Sequence, residues 1–244
     1  MVVKRFFAGI LFACLSCSIS ISGASGLQIS PIRIYLSKQQ RVSAFTVTNS
    51  TNKKVVLQGD IKQWRQANEQ ELYSASDDLI LAPPIVAIPP GKSQIFRVAV
   101  RNHKPSDEEQ SYRVYLQEVV SQLDKEKAGL HFALRIGLPV FIAPTTSLPK
   151  KVKWDVKTHK GEVLITATNL SNVHVQISHL LLVDKKKNNP IINKSVFRYL
   201  LPGKSYTWHL KTQKKAREFM DSIKLSKLEA KTDQGVLNSE ISIS

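Results

Sequence analysis

The chain has 244 residues and a net charge of +16, from 35 Lys and Arg against 19 Asp and Glu. Its only two cysteines, Cys14 and Cys17, fall in an N-terminal segment of export type, so the mature chain has no thiol chemistry and no disulfide framework. Hydrophobic cores must hold it, and the roughly 218 residues after that segment suffice for one large or two ordinary domains.

Taken in chain order, the first feature is residues 1–26. Lys4 and Arg5 open it, Phe6 to Leu15 is a short apolar stretch, and Ser22-Gly23-Ala24 and Ala24-Ser25-Gly26 offer small residues to a signal peptidase. The apolar run is short for a bilayer span, so removal rather than anchoring is expected, with no stable membrane insertion afterwards. Cys17 lacks the upstream leucine usual for lipid attachment.

Beyond it the chain reads as strands. Apolar and polar residues alternate at period two in 44–49, 55–64, 94–100 and 112–119, with turn residues between. Pro89-Pro90-Gly91 and Leu201-Pro202-Gly203-Lys204 precede alternating strands, as tight turns do. The one candidate helix is Lys214 to Phe219. Aperiodic residues Pro144 to Pro149 place a boundary between domains 27–147 and 148–244. Past it, Val163 to Asn169 echoes residues 44–49 down to the final Thr-Asn, and Pro-Gly-Lys-Ser recurs at 202–205 as at 90–93. The expected fold is all-β, two related immunoglobulin-like sandwiches.

The charge is divided unevenly: 15 basic and 11 acidic side chains in 27–147, but 18 and 8 in 148–244. Nucleic acid is no partner for an exported chain, so most of the lysines read as solubility and protection of sheet edges. The six histidines are scattered, and no Gly-x-Ser-x-Gly, His-Glu-x-x-His or phosphate loop occurs. Asp77-Asp78 and Asp107-Glu108-Glu109 read as solvated loops without the spacing of a metal site. No catalytic residue, metal or cofactor is expected, and the chain is not read as an enzyme.

One segment stands apart. In 130–138, Leu130, Phe132, Leu134, Ile136 and Leu138 project to one side, while His131, Ala133, Arg135 and Gly137 project to the other. The plain reading is a strand with one face in a core. At a sheet edge the same strand also offers open backbone groups and a large apolar row to another chain.

These residues resemble the periplasmic chaperones of chaperone–usher pilus assembly, with wording close to the archaic branch. The resemblance spans the mature chain: Ser30-Pro31-Ile32-Arg33, Trp64, the stretch Leu81 to Val98, Ser111-Tyr112-Arg113-Val114-Tyr115-Leu116, and Leu130 to Pro144. It implies two sandwich domains at an angle around a cleft. It also implies a periplasmic location and a non-enzymatic role: lending a strand to incomplete pilus or fimbrial subunits and delivering them to an outer-membrane usher. Leu130, Phe132, Leu134, Ile136 and Leu138 match the donated row. Arg33 matches the first of two basic anchors for the subunit carboxylate. The second anchor position falls on Pro139, which has no charge, and Arg135 is the substitute on that strand. The rival readings are a two-domain adhesin or carbohydrate-binding module, a fibre subunit and, last, an enzyme. Neither the client, the usher nor the free oligomeric state is written in the sequence.

Overall fold

The structure, a computed structural model, describes residues 26–102, 104–119, 133–159, 162–184, 189–211, 226–233, 235–239 and 242–243. The expectations for the export segment, for a helix at 214–219 and for Leu130 and Phe132 lie outside the described residues. The described residues contain strands and no helix. The strands are β1 (Leu27–Ser30), β2 (Ile34–Leu36), β3 (Val42–Asn49), β4 (Val55–Ala67), β5 (Gln70–Ala75), β6 (Leu79–Ala82), β7 (Ile85–Ile88), β8 (Ser93–Val100), β9 (Gln110–Glu118), β10 (Arg135–Ile142), β11 (Val152–His159), β12 (Glu162–Asn169), β13 (Val175–Asp184), β14 (Pro190–Leu200), β15 (Ser205–Lys211), β16 (Ser226–Thr232), β17 (Gly235–Ser239) and β18 (Ser242–Ile243).

Four sheets result. Their orders are β1-β3-β8-β6; β2-β10-β9-β4-β5 with β7 beside β4; β15-β12-β11-β18; and β14-β13-β16-β17. The first two enclose a core that includes Phe45, Leu57, Phe96, Val98, Val114 and Leu116, and the last two enclose one that includes Trp154, Val156, Ile165, Ile177, Leu180 and Leu228. The period-two pattern accounts for both. In β12, Val163, Ile165 and Ala167 are buried while Glu162, Leu164, Thr166 and Thr168 alternate outward. Phe45 and Phe96 oppose each other across β3 and β8, their rings 5.2 Å apart.

The two immunoglobulin-like sandwiches meet through a third, smaller cluster of Trp64, Phe141, Tyr199 and Leu201. Gln66 joins them by backbone mimicry: its Nε2 donates to the Tyr199 carbonyl at 2.8 Å, and the Leu201 N–H donates to its Oε1 at 3.0 Å. Asn68 and Glu69 hold positive φ at the tip of the β4–β5 hairpin. Arg198 Nη2 donates to the Glu69 carbonyl there at 2.6 Å, tying the hairpin to β14. The reading of Glu109 as part of a solvated loop is overturned, because its carboxylate is buried at this junction against His174.

Candidate functional site

The chain leaves the first sheet at Ser30, crosses Pro31 to Arg33 and enters the second sheet as β2, parallel to β10. That parallel pairing is only three residues long, joining Val140, Phe141 and Ile142 to Ile34, Tyr35 and Leu36. On its other side β10 pairs with β9 over its full length, from Arg135 opposite Gln117 to Ile142 opposite Gln110. Among the described residues, therefore, Arg135 to Pro139 present one unpaired edge. The ladder continues one residue upstream, where the Glu118 N–H donates to the Leu134 carbonyl at 2.8 Å. The strand expected at 130–138 is thus described from Arg135 and runs on to Ile142.

The apolar row changes depth along this strand. Leu138 is 4% exposed in the first core, Ile136 packs partly against that core, and Leu134 is 42% exposed. One row of side chains therefore belongs to the sandwich at one end and to solvent at the other. An open edge with a protruding apolar row is what strand addition needs: backbone groups for affinity and alternate side chains for specificity. Each side chain taken fully out of water contributes about 1.5–3 kcal/mol.

On the opposite face of the second sheet, two arginines flank Pro139. Arg113 is its direct register partner on β9. Arg33 precedes Ile34, the partner of Val140, so it borders Pro139 from the other side. Both act on the Tyr199 phenol, whose pKa burial raises against the lowering charges of Arg33 and Arg113. Burial disfavours the Arg33 cation, but a hydrogen bond to Tyr35 and the fields of Tyr199, Tyr35 and Asp233 outweigh it, so its pKa is raised. The Arg113 guanidinium lies 4.3 Å above the Trp64 ring, and its Nε is buried without a hydrogen-bond partner. Tyr73, 5.8 Å from that guanidinium, is pushed up to about 12 by burial, with Arg113 opposing. Among the described residues neither arginine has a carboxylate within ion-pair distance. Two cations bordering Pro139, neither in an ion pair and Arg113 lying over the Trp64 ring, suit the binding of a carboxylate.

Arg135 is elsewhere. It stacks on Tyr115 at 4.3 Å and borders a different hollow with Gln58, Asp60, Gln117 and Glu118. Five residues of strand separate it from Val140, about 16 Å at 3.3 Å per residue. The structure brings Arg113, not Arg135, beside Arg33 and Pro139. Arg113 alternates with the core residues Tyr112 and Val114, so its outward face was readable from the sequence. Its place opposite Pro139 follows only from the β9–β10 register.

Behind this face lies the polar part of the junction. His174 Nδ1 is 2.7 Å from Glu109 Oε1, and Lys150 Nζ is 2.8 Å from Asp233 Oδ2. Burial opposes ionisation of Asp233, but the Lys150 hydrogen bond and charge, the Gln176 N–H and His174 prevail and hold its carboxyl below the usual range.

Residues 26–147 match the family of pili and flagellar-assembly chaperones, PapD N-terminal domain. The chain belongs to that family. No curated protein sequence matches it. Solved structures of the same fold include a chain of the CsuC–CsuE chaperone–tip adhesion subunit pre-assembly complex from archaic chaperone-usher Csu pili of Acinetobacter baumannii. It is 19% identical with a TM-score of 0.66, over 90% of this chain and 99% of that one. The E. coli chaperone DraB is 14% identical with a TM-score of 0.58, over 88% and 98%. The Pseudomonas aeruginosa CupB2 chaperone is 15% identical with a TM-score of 0.56, over 87% and 98%. At these identities the likeness is one of fold. Among the described residues no helix is long and apolar enough to cross a membrane.

Proposed function

We propose that this member of the pilus-chaperone family works in the periplasm, after loss of residues 1–26, with its domains divided at 147/148. It holds incomplete pilus subunits by donor-strand complementation and passes them to an outer-membrane usher, without catalysing a reaction. The observation that carries this reading is the open edge of β10 over Arg135 to Pro139, with Leu134 protruding beside it. Leu134, Ile136 and Leu138, preceded by Leu130 and Phe132, fill the groove left by the subunit's missing strand. Arg33 and Arg113 grip the subunit's terminal carboxylate, and Arg135 steers from the other end of the strand. An adhesin reading is less well served, because Trp154 and Trp208 are buried core residues rather than loop aromatics.

Co-expression with the products of neighbouring genes tests it. The expected result is a one-to-one complex with a small β-rich subunit that resists proteolysis. Leu134→Glu abolishes the complex while far-UV circular dichroism of the free chain stays unchanged, since Leu134 is outside the core. Arg33→Ala and Arg113→Gln each weaken it at least tenfold. A chain that purifies alone and protects no subunit overturns the reading.

A further inference from the structure

Gly137 leaves the outer face of β10 bare at one point. It stands opposite Tyr115 in the β9–β10 ladder, two residues before Pro139 and on the same face. Glycine in a strand interior weakens the strand, and it often marks a close approach by another group. Nothing in the backbone asks for it here, since the described glycines with positive φ are Gly91, Gly203 and Gly235. Space asks for it instead. A Cβ on Gly137 would stand 3.1 Å from Arg113 Cδ and 3.2 Å from Tyr115 Cε1, both tighter than ordinary contact. Two side chains of β9 therefore lie down over the bare backbone of β10. Of these, Tyr115 carries the Arg135 guanidinium at 4.3 Å and meets Tyr73 edge-on at 5.7 Å.

Arg113 depends most on that bare floor. Its stem crosses Gly137, and its guanidinium ends 4.3 Å above the buried Trp64 ring. Its Nε is buried without a hydrogen-bond partner, and among the described residues the side chain makes no ion pair. Packing alone thus places the head, with the bare strand β10 on one side of β9 and Trp64 and Tyr73 on the other. A long arginine side chain is otherwise free to rotate, and a cation already held in place loses less entropy when it binds. We propose that Gly137 is the positioning residue of the carboxylate grip: its missing Cβ lays Arg113 down over Trp64, where it borders Pro139 opposite Arg33. This rests on the reading of Arg33 and Arg113 as the grip on the subunit's terminal carboxylate. The strand then has two duties on two faces, with Leu134, Ile136 and Leu138 on one and Gly137 and Pro139 on the other. A change at Gly137 reaches the grip without touching the apolar row.

The probe is the C-terminal peptide of the subunit that co-purifies with the chain, made as free acid and as amide. The wild-type chain should prefer the acid by about tenfold, the worth of a charge-assisted contact. Gly137→Val should lose most of that preference by weakening the acid alone. Its thermal midpoint should hold or rise, because valine suits a strand better than glycine. Added to Arg113→Gln, it should cause no further loss, since both changes remove one contact. Equal loss for acid and amide, or a Gly137→Val loss that adds in full to that of Arg113→Gln, overturns the proposal. Should the valine chain fail to fold, Gly137→Ala acts in the same direction with a smaller effect. NMR of the Arg113 side chain in the free chain needs no subunit. Its resonances, displaced by the Trp64 ring, should move towards their ordinary positions in Gly137→Val. Unchanged resonances beside an intact wild-type preference for the acid overturn the proposal alone. A wild-type chain that captures no subunit, or binds acid and amide alike, overturns the carboxylate grip itself and the proposal with it.

Discussion

The two sandwiches contain the same corner, used differently. In the first, Asn49 Nδ2 donates to the carbonyls of Lys53 and Ile88, and its Oδ1 accepts from the Thr51 N–H and Oγ1. In the second, Asn169 Nδ2 donates to the carbonyls of Val173, Leu200 and Leu201, and its Oδ1 accepts from the Ser171 N–H and Oγ. Gly91 and Gly203 carry φ of 67° and 68°, and the Asn49 and Asn169 N–H groups donate to the carbonyls of Lys92 and Lys204, both at 2.9 Å. The placement differs. Asn49 lies near the start of β4, about 30 Å by strand rise from Trp64 at the junction. Asn169 grips Leu201, which is itself in the junction cluster, and Asn172 beside it donates to the carbonyls of Asp107 and Thr146. One corner closes a free end and the other is built into the contact between sandwiches. A local motif thus secures a turn wherever it falls, while its neighbours decide whether it also joins domains.

The largest expected effect separates the two corners. Asn49→Ala and Asn169→Ala each strand several buried backbone groups, at a cost of about 3 kcal/mol. Only Asn169→Ala should also uncouple the sandwiches, seen as two urea transitions in place of one when Trp64 is followed apart from Trp154 and Trp208. Equal coupling in both variants would erase the distinction. Next in size is acid sensitivity confined to the junction. Asp233 has its folded pKa below the unfolded value, so it stabilises the junction at higher pH and this is lost as pH falls through the folded value. Asp233→Asn should therefore be less stable at neutral pH and lose less in acid, read from urea midpoints between pH 2.5 and 6. Smaller again are Gly91→Ala and Gly203→Ala. A Cβ would meet nothing within 4 Å at either, so each should cost only the backbone penalty of about 1–2 kcal/mol, equally in both sandwiches by calorimetry. The smallest concerns the exposed hydroxyl pairs Thr48–Ser93 and Thr168–Ser205, 2.8 and 2.9 Å apart. Thr48→Val and Thr168→Val should each change thermal stability by less than about 0.5 kcal/mol.

The corner repeat was legible because its signal is local. Thr-Asn closing a strand, and Pro-Gly-Lys-Ser opening another, use residues adjacent in the chain, and alternation set the faces of β3, β4, β8, β9 and β12 for the same reason. The donor row was legible as a row but not as a gradient, since Leu134 and Leu138 share one periodicity and differ only in what covers them. The burial of Glu109 is not legible, because an acidic run between strands looks solvated until its burying partner, His174, 65 residues later, is known. Arg113 is not legible as an anchor within one strand, because it neighbours Pro139 only across the β9–β10 hydrogen-bond ladder.

By itself, then, the sequence determined which side chains point inward, where the chain turns, that no cysteine occurs beyond Cys17, and the all-β family to which it belongs. These depend on period-two geometry and turn chemistry, which operate within a few residues. The tertiary structure alone decided that β2 is too short to cover β10, that Arg33 and Arg113 border Pro139 from opposite sides, and that Glu109, His174, Asp233 and Lys150 share a buried junction. These depend on registers between distant strands and on exclusion of water, and neither exists until the sheets have paired.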